Sequence, residues 1–198
     1  MRYTNRFLML GALAASVAGA SVAEATSVDF SGSALAGNGL IDNSSIGSLS
    51  LSGDVNNFSP IDLSIVLDAS EQGGSISFNG DFQVNTLVAL TGYRIEVLTP
   101  GVTISVVGDV LNSFGNPMAT SGDAFAQDIG FAPSEDLFFE IGDPLLAGST
   151  DWALDVGGLA PGVDRFSVRL TAIPEPGTAL LLGLGLAALA QRGRARRG

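Results

Sequence analysis

Residues 61–68, Ile-Asp-Leu-Ser-Ile-Val-Leu-Asp, indicate the fold class of this chain. Apolar side chains at positions 61, 63, 65 and 67 alternate with polar ones at 62, 64 and 68, and only Val66 departs from the pattern. A period of two puts the apolar side chains on one face of a β-strand, which is typical of antiparallel sheet covered by a core on one side. The same alternation recurs at residues 93–97 and 165–171, so these segments are also predicted to be strands.

Weaker strand patterns lie between these segments and are separated by turn residues such as Asn79-Gly80-Asp81, Pro100-Gly101 and Pro161-Gly162. About ten short strands predict an all-β fold, a single antiparallel β-sandwich of which the jelly roll is one form. A small barrel and a solenoid are the alternatives. Residues 111–136 are rich in turn residues and are predicted to form one long loop or two. The weaker strands are predicted at residues 28–35, 45–51, 75–78, 82–90, 102–107, 137–141 and 152–156.

The first 25 residues have the pattern of a secretory signal peptide. Arg2 and Arg6 precede an apolar run at 7–18, and small residues follow in the two triplets Ala18-Gly19-Ala20 and Ala23-Glu24-Ala25. An uncleaved membrane anchor is the alternative, but the run is short for a bilayer span. We predict a signal peptide at 1–25, cut after Ala23 or Ala25, then a β-sandwich domain at 26–172 and a tail at 173–198.

The tail combines three features in order. Pro174, Glu175 and Pro176 come first; two prolines so close limit strand pairing and helix continuation, which predicts an extended, accessible stretch. Residues 177–190 carry no charge and predict a short transmembrane helix of roughly 21 Å, against a hydrocarbon core of about 30 Å. The positive-inside rule then predicts membrane-orienting arginines on the cytoplasmic side: Arg192, Arg194, Arg196 and Arg197.

This order of Pro-Glu-Pro, short apolar helix and arginine cluster resembles the PEP-CTERM sorting signal of exported bacterial proteins. The resemblance covers the tail alone, and the interruptions at Gln191, Gly193 and Ala195 make the arginine cluster looser than is common. It implies recognition at Pro174, Glu175 and Pro176 by an exosortase, a membrane-embedded cysteine protease or transpeptidase. It also implies a Gram-negative host that makes extracellular polysaccharide. An ordinary C-terminal anchor that is never cut is the alternative.

Composition excludes several classes of function. The chain has 198 residues and a formal net charge of −11, with neither cysteine nor histidine. Disulfides, thiolate metal sites and Ser-His-Asp catalysis are therefore excluded. Residues 26–172 contain 18 acidic residues and three arginines, a balance of −15, so nucleic acid is not an expected partner.

Carboxylates are the remaining catalytic groups, and Glu71, Glu96, Glu135 and Glu140 are the candidates. A glycosidase needs two of them facing each other across a cleft, which neighbours in sequence do not supply. Each is more simply a solvated acid, so we expect no enzyme activity and no cofactor.

The sequence also contains groups that could bind calcium or a sugar. Residues 54–57 and 79–81 offer oxygen ligands on turns, but they match neither an EF-hand loop nor a nine-residue glycine and aspartate repeat, so no residue is predicted to be a metal ligand. Trp152, Phe138 and Phe139 could form a stacking platform for sugar, although strand spacing favours a place in the core.

The sequence therefore predicts a non-enzymatic surface or matrix protein with a structural or adhesive role near extracellular polysaccharide in a biofilm. The expected partners are the Sec-type export machinery, signal peptidase and the exosortase, with the inner membrane as an intermediate location. A carbohydrate-binding or carbohydrate-cleaving β-sandwich is the alternative.

Overall fold

The computed structural model describes residues 25–86, 89–135, 137–145 and 148–175, together with residues 177, 181, 183 and 184. Within these residues the fold is all-β, as the alternating patterns predict. The predicted signal peptide lies outside them except for Ala25. The strands are β1 (Ser27–Val28), β2 (Gly39–Asp42), β3 (Ser48–Val55), β4 (Ile61–Val66), β5 (Ser75–Val84), β6 (Leu90–Val97), β7 (Thr103–Val106), β8 (Val110–Asn112), β9 (Ala119–Gly122), β10 (Ala126–Glu135), β11 (Phe138–Ile141), β12 (Trp152–Asp155) and β13 (Arg165–Pro174).

The strands form two sheets. Sheet A has the order β1-β4-β13-β6-β10-β9, and all of its neighbours are antiparallel. Sheet B has the order β2-β3-β5-β11-β8, and β12 pairs with β5 and with β7. These six and seven strands differ from the eight of a jelly roll.

Sheet B contains one parallel pair, so the prediction of a purely antiparallel sandwich is wrong at this point. Strand β3 runs parallel to β5, with Leu51 opposite Gly80 and Ser52 opposite Asp81. The intervening strand β4 belongs to sheet A. Because the chain crosses to the other sheet and returns, β5 arrives beside β3 in the same direction. Alternation along single strands carries no information on such a crossover.

One hydrophobic core joins the two sheets. The ring of Tyr93 on β6 lies 5.4 Å from that of Phe82 on β5 and 4.9 Å from that of Phe139 on β11, measured between centroids. Phe82 and Phe139 stack at 5.2 Å, and Phe131 on β10 lies 5.0 Å from Phe139. Aromatic pairs at such distances contribute beyond the area that they bury. The two sheets therefore face each other as a β-sandwich.

The Tyr93 hydroxyl is buried in this core, and no hydrogen-bond partner for it lies among the described residues. Burial also raises the pKa of the phenol well above its usual value, which keeps the group neutral. An unpaired buried hydroxyl costs about 1–3 kcal/mol. We therefore expect Tyr93→Phe to leave the free energy of unfolding unchanged or to raise it by about 1 kcal/mol, as measured by chemical denaturation. A loss of more than about 1 kcal/mol would show that the hydroxyl is satisfied in solution.

The prediction of loops at residues 111–136 is wrong, because most of β8 and all of β9 and β10 lie there. The turn residues that suggested loops close short connections instead: the Asn112 side chain accepts from the N–H of Phe114, and that of Asp123 from the N–H of Phe125. On β10, Ile129 is buried as the alternating pattern requires, but Gln127 occupies an inward position. Because Gln127 is polar although it points inward, it interrupts the apolar–polar alternation by which a strand is predicted.

The start of the described domain is fixed by a buried carboxylate. Thr26 is fully buried, and its hydroxyl donates to the Glu71 carboxylate. The same carboxylate accepts from the backbone N–H groups of Gly47 and, at 2.7 Å, Asp68. Glu71 thus ties the first residue of the predicted domain to two turns and has a structural position. The three-segment division itself stays a prediction.

Candidate functional site

Strand β13 connects the folded domain to the predicted sorting signal. It lies inside sheet A, paired with β4 on one side and β6 on the other. Its inward residues Phe166, Val168 and Leu170 are buried, which explains why the alternation at 165–171 predicted it. The position of Pro174 is therefore set by an interior strand of the sandwich.

The fold holds the first two residues of the Pro-Glu-Pro motif. Pro174 is the last residue of β13 and lies opposite Leu90 after a register shift at Ile173. The N–H of Glu175 donates to the carbonyl oxygen of Ala89 at 3.3 Å. The Thr91 hydroxyl lies 3.4 Å from the carbonyl oxygen of Ile173 and 3.3 Å from that of Pro174.

These contacts correct one expectation. Two prolines so close predict limited strand pairing and an accessible stretch, but Pro174 ends a strand that pairs with β6 and is half-buried, as is Glu175. A proline is tolerated at this point because the register shift removes the need for its missing N–H. Pro176 lies outside the described residues.

The contacts at the end of β13 lead to a prediction about processing. If the exosortase binds the Pro-Glu-Pro region as an extended segment, Pro174 and Glu175 first have to leave their contacts with Leu90 and Ala89. Inserting Gly-Ser-Gly-Ser between Ile173 and Pro174 removes that restraint, so we expect several-fold faster appearance of the processed form in a pulse-chase experiment.

The matched control is the same insertion after Gly162, in an exposed turn with open space around it. We expect that chain to be processed at the wild-type rate. Equal rates for all three chains would mean that the docking of Pro174 and Glu175 does not limit processing.

The three arginines of residues 26–172 are all engaged by carboxylates. Arg169 on β13 holds Asp62 on β4 through two hydrogen bonds of 2.6 and 2.9 Å, and these bonds lower the pKa of Asp62. Arg94 contacts Asp128 at 3.1 Å and also Glu96. Arg165 pairs with Asp29, whose pKa is about 2 because Ser31 and Arg165 stabilise its charged form. These pairs all involve strands of sheet A or the turn after β1, and the described strands of sheet B contain no arginine.

The candidate catalytic carboxylates whose side chains are described do not lie together. Glu71 is buried at the turn after β4, Glu96 lies on the outer face of sheet A, and Glu140 lies on the outer face of sheet B. The side chain of Glu135 lies outside the described residues. Among the described side chains, no cluster of three or more carboxylates is arranged to hold a metal ion.

The aromatic candidates divide between core and surface. Trp152 and Phe139 are fully buried, which confirms the interpretation as core residues. Phe138 is half-buried on the outer face of sheet B. The three therefore do not form one platform for sugar stacking.

A polar groove crosses the outer face of sheet B, and sequence reasoning did not identify it. Its floor is formed by Ser50 and Ser52 on β3 with Asn79 and Asp81 on β5, in a space of about 500 Å3. A smaller space of about 200 Å3 at the same face shares Ser52 and Asp81. The other lining residues are Asn43, Ser45, Ser48, Asp143, Pro144 and Leu145.

The groove is acidic and has an unpaired acceptor in its floor. Glu140 lies directly opposite Asp81 in the β5–β11 register, and its pKa is raised by burial first and then by Asp81 and Asp143. The Asn79 amide donates to Asp151 at 3.2 Å, but its Oδ1 has no hydrogen-bond partner among the described residues. Asn79 is only 7% exposed.

The remaining predicted site residues lie beyond this region. Arg192, Arg194, Arg196 and Arg197 are outside the described residues, as are most positions of the predicted transmembrane segment. The described ones, Gly177, Leu181, Gly183 and Leu184, have helical backbone. Within the described part of the chain, no helix reaches the length and apolar character needed to cross a bilayer.

Comparison with known families identifies the tail. The family model of the PEP-CTERM protein-sorting motif matches residues 172–197, which include Pro174, Glu175 and the four arginines. Comparison with curated proteins and with solved structures finds no match. The match and the ordered features of the tail agree on the same residues. The chain therefore contains a PEP-CTERM sorting motif and is an exported protein that is sorted by an exosortase.

Proposed function

We propose that the β-sandwich is displayed on the cell surface, or released into the extracellular matrix, of a Gram-negative bacterium after exosortase processing. There it has a non-enzymatic structural or adhesive role beside extracellular polysaccharide. The observation that carries the proposal is the direct connection of the matched sorting motif to strand β13 of a folded, strongly acidic domain. Removal of the tail then leaves this domain as the mature protein.

The route to the surface follows from the two ends of the chain. The Sec-type machinery translocates the chain and signal peptidase removes residues 1–25. Residues 177–190 then hold the protein in the inner membrane, with the four arginines in the cytoplasm. The exosortase acts on this intermediate at the Pro-Glu-Pro region.

Mass spectrometry of the protein from wild-type cells and from cells lacking the processing enzyme tests this proposal. We expect the wild-type protein to lack residues 177–198, and the mutant cells to retain them. Replacing Pro174, Glu175 and Pro176 by alanine should also retain the tail, whereas Pro161→Ala, in an exposed turn, should not. An intact tail in the wild-type protein would overturn the proposal.

A second candidate, a carbohydrate-binding domain, is favoured by one observation, the polar groove on sheet B. Trp152 does not support this candidate, because it is a core residue.

A further inference from the structure

The floor of the groove on sheet B is built from two strands that the parallel pairing brings side by side. Ser50 lies opposite Asn79 and Ser52 opposite Asp81, so all four side chains point to the same outer face. Ser48, Ser50 and Ser52 follow one another at two-residue spacing, roughly 7 Å apart. The Ser52 hydroxyl donates to Asp81 at 2.5 Å. The groove thus presents a row of hydroxyl, amide and carboxylate groups.

The buried Oδ1 atom of Asn79 indicates which kind of ligand atom this row of side chains would bind. The amide orientation is fixed because Nδ2 donates to Asp151, and a flipped amide would place two acceptors together. Oδ1 is therefore an acceptor that requires a donor, and an unmet buried acceptor costs free energy. Gly142 packs on Asn79, so close that a Cβ there would lie 2.9 Å from the Asn79 Cβ. Gly142 therefore lies over Asn79, and a ligand donor can reach Oδ1 only if the turn at 142–145 shifts outward.

The charges around the groove limit the ligand further. Asp81 and Asp143 line it, and Glu140 lies beside Asp81. The described arginines Arg94, Arg165 and Arg169 all lie in sheet A and are already paired. An anionic ligand would be repelled, whereas hydroxyl groups can donate to the carboxylates and to Oδ1.

The apolar wall adds a contact that suits a sugar ring. Leu145 is 64% exposed and lies beside Pro144 at the edge of the groove. Such a wall can cover the C–H face of a ring whose hydroxyls bond to the floor. A volume of about 500 Å3 also lies within the range of about 300–1,000 Å3 that is common for ligand sites.

We propose that this groove binds an uncharged, polyhydroxylated glycan, with Asn79 Oδ1 accepting a hydrogen bond from a sugar hydroxyl. The proposal deepens the adhesive role and rests on the proposed function only because export brings the domain to such glycans. We expect the groove to bind neutral sugars and not uronate-containing sugars.

The test uses the full chain in detergent and an array of neutral gluco-, manno- and galacto-oligosaccharides beside oligogalacturonates and alginate oligomers. We expect binding to at least one neutral oligosaccharide, followed by calorimetry on that probe. Ser50→Leu fills the floor and should weaken affinity at least tenfold. Ser121→Leu, the same change on exposed strand β9 of sheet A, should leave affinity within twofold.

Leu145→Asp provides a second variant, because this exposed position tolerates a charge without loss of the fold. It should also weaken binding at least tenfold, and circular dichroism should show a folded protein. Failure to bind any neutral oligosaccharide, unchanged affinity in both groove variants, or a preference for uronates would overturn the proposal.

Tail removal is followed separately by mass spectrometry. If the tail is removed normally but no glycan binds, only the proposal for the groove is rejected. If a glycan binds but the tail is not removed, only the export proposal is rejected.

Discussion

Replacing Trp152 by alanine should lower the free energy of unfolding by about 3–5 kcal/mol, which is the usual cost of deleting a buried tryptophan side chain. Trp152 is fully buried and contacts Phe78 edge-on, with 6.3 Å between ring centroids. Its indole N–H donates to the carbonyl oxygen of Asp109 at 3.3 Å. The substitution therefore leaves a cavity and removes one of the two donors to that carbonyl, which also accepts from the N–H of Gly142. Because the chain has a single tryptophan, unfolding is followed by circular dichroism rather than by fluorescence.

Phe138→Ala is the matched control, since Phe138 is an aromatic residue on the outer face of the same sheet. Its loss should cost roughly 1 kcal/mol, because a half-buried side chain leaves no closed cavity. A cost for Trp152→Ala as small as that for Phe138→Ala would contradict the buried position of the indole. The pair also shows why Trp152→Ala is a poor probe of sugar binding: any lost binding would follow from lost folding.

The strands that the sequence predicts best are those with one buried face along their whole length. Strands β4, β6 and β13 alternate almost without interruption, and their inward residues Leu63, Ile95 and Val168 are nearly fully buried. These three strands are also neighbours in sheet A. Strong alternation and a central position have the same cause, which is close contact with the opposite sheet.

The parts that the sequence does not predict depend on which strands become neighbours. The serine row of β3 is an ordinary solvent-facing pattern until the crossover through β4 places Asn79 and Asp81 beside it. The alternation of Ser48, Ser50 and Ser52 with buried leucines could have indicated an outer face, but it could not have indicated a groove. In the same way, the motif at Pro174 is readable in sequence, while its docking beside Ala89 is a tertiary contact.

Two Pro-Gly turns provide a further contrast between local sequence and tertiary surroundings. Gly101 follows Pro100 with a φ of +88°, and Gly162 follows Pro161 with a φ of +81°. An L side chain is strained at both, by about 1–2 kcal/mol. Around Gly162 the space is open, so we expect Gly162→Ala to cost about that amount and no more.

Gly101→Ala should lower the free energy of unfolding by at least about 3 kcal/mol. Besides the backbone strain at positive φ, the new Cβ would collide with backbone atoms, and no side-chain rotation can relieve that collision. A Cβ at Gly101 would lie 2.1 Å from the carbonyl oxygen of Gly158. The turns at Gly101 and Gly158 flank the paired strands β7 and β12, so separating them also disturbs the buried end of that pair. Both variants are compared by chemical denaturation of the purified chain. Equal losses in the free energy of unfolding would mean that the turn at Gly101 moves away from Gly158 at little cost. A larger loss for Gly101→Ala would mean that close packing of these two turns stabilises the β7–β12 pair at the edge of sheet B.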